Sequence, residues 1–587
     1  MFFVDTLEFE GLGNRSYLAG GPSAAVVIDP PRDIDQIIAA AAHRGVRIAF
    51  VAETHVHNDY ATGGLELARV TGAQYLLPAG AHVAFTRIPV ADGDMVTVDK
   101  GLVLRAIATP GHTPHHTSYA LAEDGRSVAA FTGGSLLIGT VGRPDLVEPR
   151  LTERLARAQY ASAHRLADEL DDEVPVLPTH GFGSFCSSSQ AEGDATTIGK
   201  ERETNDALTL DVDTFVARML DGLDDVPAYY AHMGPANAAG PTPVDLTPPT
   251  RAHADEIASR LAAGEWVVDL RSRMAFAEGH VAGSFNFEGE GKLATYLAWL
   301  IPWGKPVTLL ADTPEQIADA QRELARVGID RPAAAAIGDP VGWVREGEQL
   351  ASFPRARFAD LAEVRERGDE VVVLDVRRDA ERVGGYIEGS VHIPIHELHD
   401  RIDEVPKGTV WVHCAGGMRA ATAASLLDAV GREVVAVDDG FDAATDAGCP
   451  WSPADPDRSL ARKEACDVPF SPKQAPRHGR RGTQPHQRRS ARRGPAGRAR
   501  EARMDHGPRS GRRPRTADET GRRRHPARPG AGATAGGDLP QGHRSRQAAK
   551  LLAERGAQVV DVEGGMNAWA AAGHPVVDER GNSGRTA

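Results

Sequence analysis

The sequence predicts an α/β protein built from several consecutive domains. Short apolar runs alternate with stretches of helical spacing through residues 1–245. One strand pattern ending in Asp-x-Arg occurs twice, about a hundred residues apart. The residues able to carry chemistry, several histidines and one cysteine, fall in Gly/Pro-containing loops just after apolar runs.

The first region opens with Ala24-Ala25-Val26-Val27-Ile28, a strand stopped by Asp29-Pro30-Pro31. Asp33 to His43 has helical spacing. Val46 to Ala52 reads as a strand running into Thr54-His55-Val56-His57. Gly63 to Val70 reads as a helix and Gln74 to Leu77 as a strand. Val103 to Ala108 and Ser118 to Leu121 are further strands.

Leu246-Thr247-Pro248-Pro249 marks a linker. The repeat follows. Trp266-Val267-Val268-Asp269-Leu270-Arg271 precedes Gly279-His280-Val281-Ala282-Gly283-Ser284. Val372-Val373-Leu374-Asp375-Val376-Arg377 precedes Gly385-Tyr386-Ile387-Glu388-Gly389-Ser390. This spacing predicts two small whole domains, 250–350 and 355–452.

Residues 471–540 hold 19 Lys/Arg against 5 Asp/Glu, and Met504 and Leu539 are the large apolar residues there. Such a stretch cannot bury a core, so disorder is expected over 467–540. Residues 541–577 turn globular again and read as the back half of a third repeat without a front half. A frameshift across 467–540 accounts for both features; a natural basic linker is the alternative.

The chain has 587 residues, 41% of them hydrophobic and 25% charged, with a net charge of −15. An acidic body outside the Arg-rich stretch does not suggest nucleic-acid binding. No apolar run is long enough to span a bilayer, so no membrane partner is expected. The N-terminus has no basic-then-apolar leader pattern, and four cysteines are too few for a disulfide scaffold. A reducing cytoplasm is the expected location. The oligomeric state, homo-oligomer included, is left open.

His55, His57 and Asp59 share one loop after a strand. His112 stands in Pro110-Gly111-His112-Thr113-Pro114, and His180 in Pro178-Thr179-His180-Gly181. Several strand-end histidines with a carboxylate suit zinc or non-haem Fe(II). The pattern resembles the metallo-β-lactamase fold, whose order is His-x-His-x-Asp-His, a lone His, an Asp and a last His. The resemblance covers 1–245 and implies an αββα sandwich. Two positions depart from it: Tyr60 replaces a second-metal His, and Gly134, in Phe131-Thr132-Gly133-Gly134-Ser135, replaces the Asp. Gly181-Phe182-Gly183-Ser184-Phe185-Cys186 is similar to the persulfide dioxygenase branch. That branch implies one Fe(II) per N-terminal domain in a two-His, one-carboxylate set, of which His55 and His112 are present; His57 is expected to take the place of the missing Asp, with Asp59 and His180 as further candidates. Zinc, or no metal because of Gly134 and Tyr60, is the alternative. Cys186 is expected to carry or guide a persulfide, or else to be a buried small residue. His115 and His116 are expected outside the ligand set.

Val410-Trp411-Val412-His413 leads into Cys414-Ala415-Gly416-Gly417-Met418-Arg419, and a helix is expected through Ala429. A Cys between a strand end and a helix N-terminus sits among backbone N–H groups, and the helix dipole and Arg419 favour its thiolate. The six-residue loop resembles the rhodanese (sulfurtransferase) loop Cys-x-x-Gly-x-Arg, with Gly416 and Gly417 shaping it and Asp375 and Arg377 matching the upstream strand end. The first copy has Asp312-Thr313-Pro314 at the matching place and is expected to be inactive. Cys449 and Cys466 have no supporting residues.

Both resemblances imply sulfur chemistry: oxidation of a low-molecular-weight thiol persulfide by O2 to sulfite, plus sulfane-sulfur transfer through Cys414 with thiosulfate or sulfite as partners. A zinc thioester hydrolase of the glyoxalase type, or an inert N-terminal scaffold serving the sulfurtransferase, are the alternatives.

Overall fold

The computed structural model describes residues 2–189, 193–289 and 291–452. The expectations for 467–540, for 541–577 and for Cys466 lie outside the described residues.

Two six-stranded sheets face each other at the N-terminal end. The first runs Phe3–Phe9, Asn14–Gly20, Ala24–Ile28, Arg47–Ala52, Gln74–Pro78 and Ile88–Val90. The second runs Thr196–Thr197, Pro175–Pro178, Arg126–Gly133, Thr117–Glu123, Leu102–Ala108 and Met95–Asp99. Strand alternation explains the layering. Val26 and Ile28 enter the core between the sheets with Leu104, Leu121 and Phe131. Ala25 and Val27 face the other way, against Ile37 and Ala41 of the helix Asp35–Arg44 and Leu67 of the helix Gly64–Thr71. On the far side, Ala163 and Leu166 of the helix Thr152–Glu169 cover Ala120 and Ala130. The result is the αββα sandwich, with helices on both outer faces.

The helix Asp35–Arg44 ends where Gly45 adopts φ +70°, a left-handed cap that returns the chain to the strand Arg47–Ala52. That strand ends at the His55 loop, so its register in the sheet fixes where the histidines sit.

Two parallel sheets follow. The central one is ordered Phe285–Asn286, Trp266–Asp269, Val307–Ala311, Ala334–Ile337. The last is ordered Arg355–Ala356, Val434–Val437, Val410–His413, Val372–Asp375, Val391–His392. In the central unit the strand Val307–Ala311 runs into a helix, Pro314–Arg326, capped by Thr313 and Gln316. The loop that would hold a nucleophile there is spent on capping.

The helix Leu293–Leu300 is buried on every side. One apolar core joins it to Tyr60, Cys186 and Tyr229 in one direction and to Val412, Cys414 and Leu427 in the other. A helix apolar all round must be enclosed, and here it is enclosed by all three units. Among the described residues no helix is long and apolar enough to cross a membrane.

Candidate functional site

His55, His57, Asp59, His112 and His180 are all buried between the sheet ends. Ligand atoms of His55, His112 and His180 lie within 4.8 Å of one another. The hydrogen bonds around each ring fix its tautomer. The carbonyl of Arg143 can only accept, so it takes the proton of His112 Nδ1 at 2.8 Å. Thr54 Oγ1 gives its proton to Asp29 and therefore accepts from His55 Nδ1 at 2.8 Å. Asn14 donates its amide to Asp59 at 2.7 Å, leaving its carbonyl to accept from His180 Nδ1 at 3.1 Å. Each ring therefore keeps a bare Nε2 lone pair. His55 and His180 bring theirs within 3.4 Å of each other. Burial, then the neighbouring histidines, hold His55 well below its ordinary pKa, and burial with His180 brings His112 down to about 3. Neutral imidazoles with converging lone pairs are a donor set for a metal ion.

His57 is turned differently from the expectation that grouped it with His55 and His112. Its Nε2 donates to Glu53 at 3.1 Å and lies 3.2 Å from Asp29. Burial alone would lower its pKa, but the Asp29 and Glu53 carboxylates raise it to about 10. Among the described residues its Nδ1 and the Oδ1 of Asp59 have no hydrogen-bond partner. With His180 these two residues form a second cluster within the same 4.8 Å limit. His180 is common to both.

Gly134 has no side chain to offer, and its backbone is used for contact. A Cβ there would lie 2.2 Å from Cδ2 of His112. Its N–H donates to His116 Nε2 at 3.0 Å, and Gln159 ties its carbonyl while accepting from the His112 N–H. Tyr60 donates its hydroxyl to the carbonyl of Asp29 at 3.1 Å, and its ring lies tilted against His57 with centroids 4.4 Å apart. His116 is buried behind the cluster, and His115 is exposed.

Cys186 is fully buried, its Sγ 3.8 Å from the hydroxyl of Tyr230. Burial, then the charge of Asp59, push its thiol well above the ordinary range. That favours a protonated thiol over a nucleophile.

Cys414 directly follows the strand Val410–His413, and Gly417, at φ +92°, opens the helix Met418–Ala429. The Gly417 N–H donates to Sγ at 3.1 Å. The N–H of Phe441 holds the carbonyl of Ala415 at 2.9 Å. Arg419 is not free beside the sulfur: Glu381 takes it in a two-point contact at 2.5 and 2.6 Å. Asp375 and Arg377 pair at 2.7 Å beneath the loop, with Arg377 over the ring of Phe441 at 3.5 Å. They brace the strand end. Cys449 is buried and its Sγ faces a backbone carbonyl of Phe358.

Sequence reasoning missed Asn14, Asp29, Glu53 and Glu381. Asp29, in the left-handed region at φ +49°, carried one signal, since it follows a strand and precedes two prolines.

Residues 358–447 match a family model described as a rhodanese-like domain. The chain is 31% identical over 214 residues to the human protein named persulfide dioxygenase ETHE1, mitochondrial, covering 35% of this chain and 75% of that one. It is 30% identical over 223 residues to a hydroxyacylglutathione hydrolase of Rhodopseudomonas palustris, covering 35% of this chain and 86% of that one. A solved metallo-β-lactamase structure from Staphylococcus aureus aligns with TM-score 0.52 at 25% identity, covering 58% of this chain and 99% of that one.

Proposed function

Since the chain belongs to the metallo-β-lactamase-fold family of persulfide dioxygenases, here joined to a rhodanese-like domain, we propose a sulfur-handling enzyme with two sites. The histidine site oxidises the outer sulfur of a low-molecular-weight thiol persulfide to sulfite. Cys414 transfers sulfane sulfur. The balance of the first reaction takes one O2 and one water per persulfide and returns the thiol, sulfite and two protons.

One observation carries the first half: three buried imidazoles, each with its Nδ1 proton committed to an oxygen, turn bare Nε2 atoms toward one point. These residues fit a metal ion, and His55, His112 and His180 would hold one Fe(II). When bound, ferrous iron supplies the redox chemistry between O2 and a persulfide sulfur. The chain's own residues do the rest. Thr54, Asn14 and the Arg143 carbonyl keep the rings oriented and unprotonated toward the centre. Cys186, kept as a thiol, guides the persulfide and does not attack it. The hydrolase reading would need second-metal ligands at positions 60 and 134, and Tyr60 spends its hydroxyl on Asp29.

At the second site the Cys414 thiolate attacks the outer sulfur of thiosulfate. The S–S bond breaks, sulfite leaves with the electron pair, and a cysteine persulfide remains. A thiol then takes the outer sulfur and restores the thiolate. The Gly417 N–H stabilises the sulfur anion, and Glu381 holds Arg419 in place at the loop's end. A reducing compartment such as the cytoplasm keeps Cys414 ready.

The test is O2 uptake by anaerobically iron-loaded protein given glutathione persulfide. Uptake retained in Cys414→Ser and lost in His112→Ala supports oxidation at the histidine site. Absence of uptake with intact thiosulfate sulfurtransferase activity overturns it and leaves a rhodanese on an inert scaffold.

A further inference from the structure

We propose that Arg273, in the central unit that lacks a nucleophile, is a positioning residue for Cys414; the inference rests on the sulfurtransferase reading above. The contact runs through Asp438. Arg273 Nε donates to Asp438 Oδ1 at 2.7 Å, across the boundary between the two parallel sheets. Arg355 takes the other oxygen at 2.8 Å. That carboxylate rests on the active loop itself: a Cβ on Gly417 would lie 2.3 Å from Asp438 Oδ1 and 3.3 Å from Arg273 Nε.

Gly417 is the residue whose N–H reaches Cys414 Sγ, and its φ of +92° is one that other residues rarely adopt. The loop therefore combines an unusual backbone angle with one charged wall. Glu288 prepares that wall from the central unit, meeting Nη1 of Arg273 at 3.1 and 3.2 Å and its backbone N–H at 2.9 Å. On the loop's other flank the charges are already matched, since Glu381 pairs with Arg419 and with Arg378. Removing Arg273 leaves Asp438 with Arg355 as its remaining cationic partner, and an undercompensated carboxylate beside Gly417. Two effects follow: the N–H that faces sulfur loses its fixed position, and negative potential rises where the thiolate must form. In the repeat alignment Arg273 corresponds to Asp379 of the Cys414 copy. The copy without a nucleophile thus supplies a charge that the active copy lacks at that position.

The experiment uses the full chain with Arg273→Gln and Arg273→Lys. Alkylation of Cys414 by iodoacetamide is followed against pH by mass spectrometry of its peptide, alongside thiosulfate-to-cyanide turnover and thermal melting. In Arg273→Gln, kcat is expected to fall about tenfold with KM for thiosulfate held within about twofold. Its alkylation midpoint moves to higher pH, and Arg273→Lys recovers most of both effects. A wild-type alkylation profile together with wild-type kcat in Arg273→Gln overturns the proposal and leaves Arg273 a tie between units. If Arg273→Gln does not fold, Glu288→Gln, which loosens Arg273 without removing it, is measured the same way. A shifted profile then supports the proposal and an unshifted one overturns it. If the wild-type chain transfers no sulfur, the reading of Cys414 fails separately, and the alkylation profile still decides the role of Arg273.

Discussion

The imidazole of His112 occupies the space that a Cβ on Gly134 would need, 2.2 Å from where that atom would lie. Gly134 is therefore part of how His112 is seated. Restoring the family's carboxylate by Gly134→Asp should displace the ring and break the link between His112 Nδ1 and the Arg143 carbonyl. The expected cost is about 1–3 kcal/mol of overpacking. Iron retained after anaerobic loading should fall below that of the wild-type chain. Metal analysis beside a melting curve checks it: tighter iron binding at an unchanged melting temperature would mean that His112 has room to move.

His180 and His57 make a second contrast. His180 belongs to both histidine clusters, whereas Nε2 of His57 is committed to Glu53 and Asp29. His180→Ala should reduce iron occupancy about 10–100-fold in affinity, as loss of a ligand or of its support does. His57→Ala should chiefly destabilise, because it leaves two buried carboxylates facing each other without the cation between them. Iron titration followed by nitric oxide-adduct spectroscopy separates the two: loss of the iron signal only in His57→Ala would reverse the assignment.

The loops were legible because Gly and Pro bracket them. Pro110-Gly111-His112 and Pro178-Thr179-His180 announce strand ends in which a histidine has a reason to sit. The ring directions were not legible. They depend on Asp29 and Glu53, which end two different strands, and on Asn14, an unremarkable residue in a hairpin strand that no local pattern set apart. Short apolar runs such as Ala24–Ile28, alternating with stretches of helical spacing, and the Asp-x-Arg repeat made the layered α/β class and the two small domains legible. Leu293-Ala294-Thr295-Tyr296-Leu297-Ala298-Trp299-Leu300 is apolar enough to demand burial, yet nothing in the run says that three units enclose it. Arg419 is a similar case. The motif places a guanidinium near sulfur, and only the fold shows Glu381 neutralising it.

That last pair gives a third prediction. Glu381 holds both nitrogens of Arg419, and Arg419 draws its carboxyl well below the usual range once burial is overcome. Glu381→Gln keeps the shape and removes the charge. Arg419 is 10% and Glu381 23% exposed at the side chain, so the stability loss should be about 2–3 kcal/mol. Thiosulfate turnover should fall about tenfold, because Arg419 is no longer pinned at the loop's end. Steady-state kinetics on Glu381→Gln check this; turnover equal to the wild type would show that the loop holds its form without the pair.

Glu323 gives the clearest pH dependence. Its Oε2 has no hydrogen-bond partner among the described residues and is packed near Gly11, where the central unit meets the sandwich. Burial raises its pKa from 4.5 to about 7, with Arg326 and Lys292 pulling the other way. Between those values the folded chain keeps a proton that the unfolded chain releases. Stability from this group is therefore present in full below pH 4.5 and is lost as pH rises through 7. The loss is on the order of 2 kcal/mol after allowing for partial solvent access. Lys292, lowered to about 8, acts only above this window, where its deprotonation adds stability back. Glu323→Gln stays neutral throughout and should melt at a nearly constant temperature from pH 5 to 7.5, while the wild-type chain loses a few degrees. Parallel falls in the two chains would place the titrating group elsewhere.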